Sequence, residues 1–477
     1  MKKEYRAHPL MIFKLLKPFW FVLIIPLLKG ALQFLIQRRV SGVLSFEAVC
    51  FCFILAIAVL RWRAFRLSLS GDDITVSEGV FFRKQSVINV SKLSSVQTTK
   101  NLIDAVTGAV TYRINTEAGR TGKTDFEFKL SAKDSREVSS RLYGDESRTA
   151  VKFSLYKLAL LAATTSSAVT GIVISVPIIN KAGKLLGIAL NEMLFNEINT
   201  VSEKFRFYFP PVVNVITLIF LLGYGIAFLY SFFKNLNFRL FLETDKIEVK
   251  SGFFVRKRTS FKKSSVNDVK IEQTPLMRLI KQFSLKVSVG GYSDSKQESA
   301  VIIPCGRHGE IKRQFSLYFP FMTPDGESVH ASRDRATRRR FFYLPKLYAI
   351  LTLIVFIPLM FVFEYFYRLL LFIAFIVLAV ILYYANLCLY DYRFGKVRFG
   401  RENIYAKSSV GLHNCELCCP KERIGQIRLI RNPVDMKRGT CKVRITVRSE
   451  SADSIRVRHL DYKTVKKNVY ECYGIDE

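Results

Sequence analysis

Hydrophobic and polar positions are patterned on two length scales in this chain. On the longer scale, two apolar stretches in close succession precede a basic, polar stretch of domain size, and the block occurs three times. The apolar pairs are residues 11–28 with 43–60, 151–179 with 211–233, and 344–363 with 369–390. Each stretch is close to the roughly 20 residues that cross a bilayer as a helix. Leu370–Tyr390 runs without a charge until Asp391, which a buried helix of a soluble core does not explain. The first stretch is followed at once by a second and lacks a small-residue cleavage site, so it reads as a retained anchor. The pattern predicts six transmembrane helices in three hairpins.

On the shorter scale, the polar stretches alternate with the period of half-buried antiparallel strands. In the first, turns fall at Gly71-Asp72-Asp73 and Glu78-Gly79. The second repeats its order: Ile247 matches Ile74, Gly252 matches Gly79, Arg256-Lys257 matches Arg83-Lys84, and Val266 and Val269 match Leu93 and Val96. The third keeps Ile404, Ile424, Ile427 and a pattern around Gly439, Val443 and Ile445, but has Ser409 in place of Gly79, so its turn is expected to differ. Each stretch ends in a helix candidate, at 131–144, 306–319 and 461–474. Ser131 and Asp461 are N-caps, and Gly144 and Gly474 are C-terminal stops.

Strands closed by one helix suggest a small, partly open barrel or sandwich. The fold class expected is therefore an α+β membrane protein. Its divisions are hairpin 1 (1–60), domain 1 (61–148), hairpin 2 (149–233, with an outer amphipathic loop at 180–209), domain 2 (234–330), a basic juxtamembrane linker (331–343), hairpin 3 (344–390) and a diverged domain 3 (391–477).

Charge sets the expected topology. Of 72 Lys and Arg, only 8 fall in loops between paired spans: Lys29, Arg38, Arg39, Lys181, Lys184, Lys204, Arg206 and Arg368. Basic flanks stay in the cytoplasm, so both termini and all three domains are expected there. This bias accounts for most of the net charge of +33 without a nucleic-acid partner, for which no base-reading motif is present. Basic domains beside an anionic leaflet gain roughly 1 kcal/mol per well-placed cation. The densest basic run, Ser332–Lys346, reads as a stop and orientation signal.

Cysteine use fits a reducing interior. His413, Cys415, Cys418 and Cys419 are zinc-ligand types, but no second paired-cysteine half stands at zinc-site spacing. Aligned to the first domain, Cys418 falls at the strand position of Ile88, so small buried thiols are expected here, with no metal and no cofactor.

The order of membrane hairpin, aromatic or basic exit, alternating leucines, Ile-x-Val-x-x-Gly and Phe-x-Arg-Lys, then an amphipathic run to a glycine and a strand, resembles the bacterial pleckstrin-homology-like (PH-like) domain. Three such units behind hairpins, with the opening Arg6-x-His8-Pro9-Leu10, are similar to the YdbT-like family of membrane proteins. The resemblance is strong in the first two units and weak in the third. It implies a PH-like fold, a bacterial cell-membrane location and, often in the family, a smaller single-copy membrane partner of the same family; the partners expected here are that protein, self-association or both. It implies no catalytic activity.

The residues agree on that last point. Five histidines, His8, His308, His330, His413 and His459, are scattered without a metal or triad pattern, and no Walker or dinucleotide glycine loop occurs, so no enzyme is expected. Charges in the spans lie near their ends, as with Lys14, Lys17, Glu47, Lys152 and Lys157, which disfavours coupled ion transport. Ala159, Ala163, Ser167, Gly171 and Ser175 recur every four residues as a helix-packing stripe, facing either another span or a second protein.

In the outer loop, Ala182, Leu185, Leu186, Ala189, Met193 and Ile198 share a face that could lie on the leaflet or on the bundle's own end. The reading is a non-enzymatic scaffold acting by assembly and membrane-surface binding, with envelope stress or tolerance of membrane-active peptides as a role by analogy. Two other readings stay open: a transport or channel component, and a sensor of anionic phospholipids through Arg83, Lys84, Arg256, Lys257, Arg258, Lys262 and Lys263. A solvated basic strand edge would use the same cations.

Overall fold

The computed structural model describes residues 3–19, 42–116, 125–143, 150–167, 169–173, 175, 177, 179, 190–204, 211–289, 299–323, 325–448 and 454–474. Within them, three modules follow one another with the same order of strands. Module 1 has β1 (Lys3–Arg6), β2 (Arg66–Ser70), β3 (Asp73–Glu78) and β4 (Lys84–Asn89), then β5 (Leu93–Lys100), β6 (Ala109–Thr116) and β7 (Phe126–Ser131). Module 2 has β8 (Ala150–Lys152), β9 (Arg239–Leu242), β10 (Lys246–Ser251) and β11 (Arg256–Lys262), then β12 (Val266–Gln273), β13 (Phe283–Val289) and β14 (Ala300–Gly306). Module 3 has β15 (Ser328–His330), β16 (Lys396–Phe399), β17 (Asn403–Val410) and β18 (His413–Pro420), then β19 (Ile424–Ile430), β20 (Thr440–Val447) and β21 (Ser454–Asp461).

The first strand of each module precedes its hairpin. Tyr5 pairs with Leu67, Val151 with Leu240, and Val329 with Val397. Residues 150–152, which the sequence pattern assigned to hairpin 2, and 328–330, assigned to domain 2, are thus strands of the module that follows. Periodicity cannot report a strand of three residues.

Each module closes with the expected helix, at Ala132–Tyr143, His308–Tyr318 and Tyr462–Tyr473. The Ser131 hydroxyl accepts from the Asp134 amide at 3.2 Å and Asp461 from the Thr464 amide at 2.8 Å, while Gly474 sits at φ +63° as the stop. Gly144 lies outside the described residues. The cores gather Leu67, Tyr112 and Phe128 in module 1, Ile247, Leu285 and Ile311 in module 2, and Ile404, Val443 and Val465 in module 3.

Of the six spans expected, three meet the length and apolarity of a bilayer crossing among the described residues: Val213–Asn235, Tyr343–Val362 and Glu364–Phe394. Gly42–Ala64 is a further helix of 23 residues. Residues 20–41, where most of the first span was expected, lie outside the described ones. In hairpin 2 the helix Leu155–Thr165 stops where Ser166 turns extended, at ψ 145°, and residues 169–173 are helical again.

The small-residue stripe lies against the other helix of its own hairpin. A Cβ on Gly171 would collide with the Gly223 carbonyl, and the Tyr224 hydroxyl donates to the Ala163 carbonyl at 2.7 Å. Ser175 is buried and Ala159 half-buried, whereas Ser167, at the helix break, is exposed. The helix Leu190–Lys204 of the outer loop is tied to the bundle by Asn214, which donates to the Ser202 carbonyl at 3.2 Å. Its face-sharing residues 182, 185, 186 and 189 are outside the described ones.

Candidate assembly interface

The strands do not form three separate barrels. β5 of module 1 pairs with β11 of module 2, giving one seven-stranded sheet in the order β7-β6-β5-β11-β10-β9-β8. β12 of module 2 pairs with β18 of module 3, giving a second in the order β14-β13-β12-β18-β17-β16-β15. A main-chain seam therefore replaces each boundary that periodicity suggested.

Both seams use one register. Ladders within the modules fix the equivalences: Val96 with Ile114, Val269 with Val287 and Ile427 with Ile445 on one side, and Ile74 with Ile88, Ile247 with Phe261 and Ile404 with Cys419 on the other. Cys419, not Cys418, is therefore the counterpart of Ile88. The hairpin of module 3 has one residue more between these partners, 404 to 419 against 74 to 88, which shifts the match by one. In the first seam Val96 stands opposite Ser260, and in the second the equivalent Val269 stands opposite the equivalent Cys418.

Directly opposed residues share a face of a sheet, so β11 and β18 each have one face on their own core and the other under the preceding module. Cys418 joins the core of module 2, its thiol donating to the Met322 carbonyl at 3.1 Å, while Cys419 belongs to the core of module 3. Burial pushes the Cys418 thiol up to about 12. The two thiols thus face different cores.

Several polar groups buried at the seams are paired. In the first, the Arg258 guanidinium reaches Glu248 at 2.6 and 3.1 Å and lies 4.1 Å over the ring of Tyr143, whose hydroxyl donates to the Val96 carbonyl at 3.3 Å. In the second, Glu416 accepts from Lys407 at 2.6 Å, Tyr405 at 2.7 Å and His308 Nε2 at 2.9 Å. Burial opposes ionisation of Glu416, but the His308 bond and the Lys407 ammonium outweigh it and hold the carboxyl at about 2. The Asn414 amide donates to Gln273 at 3.0 Å across the same seam.

The basic residues singled out in the sequence divide between seam and surface. Arg256, Lys257 and Arg258 lie in β11, opposite Lys100, Thr99 and Thr98. Lys262 donates to the Ser91 carbonyl of module 1, and Lys263 opens the next 3-10 turn. Arg83 and Lys84 are exposed at the start of β4.

They adjoin a second feature, the loop between the third and fourth strands of each module. Gly79 and Gly252 hold these loops at φ +108° and +105°, where a Cβ would strike the Phe82 and Val255 carbonyls. The loops carry Phe81 and Phe82, 88% and 91% exposed, and Phe253 and Phe254. The latter pair packs on Phe233 at the end of the span Val213–Asn235. Module 3 instead has a two-residue turn at Gly411-Leu412, between Val410 and His413, as the absence of the glycine predicted. The Leu412 carbonyl there accepts from Tyr383 of the last span at 2.8 Å. The second and third tips thus lie against membrane-length helices. A cavity of about 780 Å³ opens behind the second tip, bordered by Ser166, Tyr230, Lys234, Phe254 and Lys257.

The seams were not legible beforehand. β12 shows the strongest signal that could have revealed them: it alternates like a half-buried strand, yet Asn267, Asp268 and Lys270 are buried with the rest.

Modules of four strands followed by three strands, each closed by a helix, in a chain with three helices of membrane length among the described residues, define a class of membrane protein carrying PH-like domains. The family model described as Bacterial PH domain matches residues 20–145 and 187–317, more than half of the chain, and the chain belongs to that family. It is also similar to the UPF0699 transmembrane protein YdbT of Bacillus subtilis (strain 168), 20% identical over 323 residues that cover 62% of this chain and 64% of that protein. The chain thus matches just under two thirds of that relative's length.

Proposed function

We propose that this protein is a non-enzymatic membrane scaffold, in which six spans hold three cytoplasmic PH-like modules as one jointed β-structure for assembly at the membrane surface. The observation that carries this reading is the shared register of the two seams, which joins the modules through main-chain ladders that tethered binding domains would not need. Basic residues concentrated outside the inter-span loops support the cytoplasmic placement. The role by analogy is tolerance of envelope stress or membrane-active peptides.

Cysteine crosslinking tests the scaffold. Glu272 stands opposite native Cys415 in the second seam. In native membranes, a Glu272→Cys chain treated with a short thiol crosslinker should yield a linked 272–415 peptide pair by mass spectrometry. Its absence refutes the jointed assembly. Reporter fusions after residues 145, 325 and 477 should all read as cytoplasmic, and one external signal refutes the topology.

A second reading, contact with anionic phospholipid, is favoured by the nearly bare Phe81 and Phe82 next to Arg83 and Lys84. An apolar tip with cations behind it suits the boundary between acyl chains and headgroups.

A further inference from the structure

Two strand edges are left over when the three modules are joined. Each internal seam unites the fourth strand of one module with the fifth strand of the module before it. Among the described residues, β4 of module 1 ends its sheet with no strand beyond it, and so does β19 of module 3. These are the two halves of the seam that the chain has already made twice.

Their burial supports this. Every residue of β12 is buried except Glu272, and β5 is buried from Leu93 to Gln97, whereas the equivalent β19 has no buried residue. On the other half, Val87 is 62% exposed, while its counterparts Ser260 and Cys418 are buried in the seams. Tyr143 and Tyr473 each end a closing helix, yet Tyr143 is covered and Tyr473 is 38% exposed. Open edges bearing apolar residues are templates for another strand, and natural proteins usually blunt or cover them.

We propose that β19 of one chain pairs with β4 of a second copy, forming a third seam in the register of the first two. The inference rests on the scaffold reading and gives it an assembly rule. Transferred from the internal seams, the register sets Ile427 opposite Val87, Leu429 opposite Gln85, Arg428 opposite Ser86 and Ile430 opposite Lys84. The ladder's next pair sets Arg431 opposite Arg83, as Arg256 faces Lys100 in the first seam, and a β-branched pair lies at the centre. The contact is head to tail, so it repeats from copy to copy, as a ring where the rotation closes and as an open chain where it does not.

The test uses full-length chains in native membranes. Two differently tagged copies, one Val87→Cys and one Ile427→Cys, are co-expressed and treated with the short thiol crosslinker. The expected result is a species of doubled mass carrying an 87–427 peptide link, absent when either variant is expressed alone. The wild-type protein in mild detergent should run as a multiple of 54.8 kDa. Val87→Lys, a change at an exposed position, should reduce it to a single chain. A single-chain wild type, an intact multimer in Val87→Lys, or Ile427 linked instead to a different protein overturns the proposal. If the 272–415 link forms and the 87–427 link does not, only this inference fails; if neither forms, the scaffold reading fails with it.

Discussion

Arg258 and Glu416 hold the same ladder position in two successive seams with opposite charge. Each lies two residues before the residue facing Val96 or Val269. Arg258 is met by Glu248 and the Tyr143 ring, and Glu416 by Lys407, Tyr405 and His308. Exchanging the two strands would place a carboxylate against the face of an aromatic ring and a guanidinium beside Lys407. The seams share a backbone geometry, but their side chains fix which module follows which.

Glu416→Gln should loosen the second seam. It removes one partner of a buried ion pair and leaves Lys407 without its carboxylate, a loss of about 3–5 kcal/mol for such pairs. Chemical denaturation in detergent should show the drop. Arg258→Gln should weaken the first seam in the same assay while sparing the 272–415 crosslink.

Acid should act through the same group. Glu416 is held at about 2, below its ordinary 4.5, so its contribution is present above the unfolded value and is lost as pH falls from about 4.5 towards 2. Unfolding followed across that window should show wild-type protein losing stability more steeply than Glu416→Gln. Equal slopes would show that other carboxylates dominate.

Gly171→Leu should force apart the helices of hairpin 2, because any side chain there meets the Gly223 carbonyl. Overpacking of this kind costs about 1–3 kcal/mol. Thermal unfolding should shift downward, with Gly171→Ala intermediate. An unchanged melting temperature would place the stripe against lipid.

Gly79→Ala should strain the first tip by about 1–3 kcal/mol, since the position combines a φ of +108° with a collision at the Phe82 carbonyl. Replacing Phe81 and Phe82 by Ser should leave unfolding unchanged but lower the affinity of the detergent-purified chain for acidic over neutral vesicles. That preference should fade as added salt shortens the Debye length below roughly 8 Å. Identical binding by both forms would exclude the tip as the contact.

These tips were readable in the sequence because a backbone demand at Gly79 and Gly252 leaves a residue-type signature, and its absence from the third unit correctly announced a different turn. The closing helices were readable through their caps for the same reason. The seams were not. A strand such as β12 carries Asp268 and Lys270 on a face that periodicity assigns to water, and the cover comes from a module more than a hundred residues away in sequence. The one-residue slip between Cys418 and Cys419 arose similarly, because the extra residue in the β17–β18 hairpin is invisible until the ladder is traced.

The strands that precede each hairpin have a consequence for biogenesis. β8 and β9 flank the whole of hairpin 2, and Val151 still meets Leu240. Two strands can pair only on one side of a bilayer, so the chain between them must cross an even number of times. The same parity condition applies between β1 and β2 and between β15 and β16. A hairpin that failed to return would strand half a sheet on the wrong face, and the module could not close. In the six-span reading, completion of each sheet therefore reports whether its hairpin has returned, and a misinserted chain would carry an unfinished module rather than a folded one.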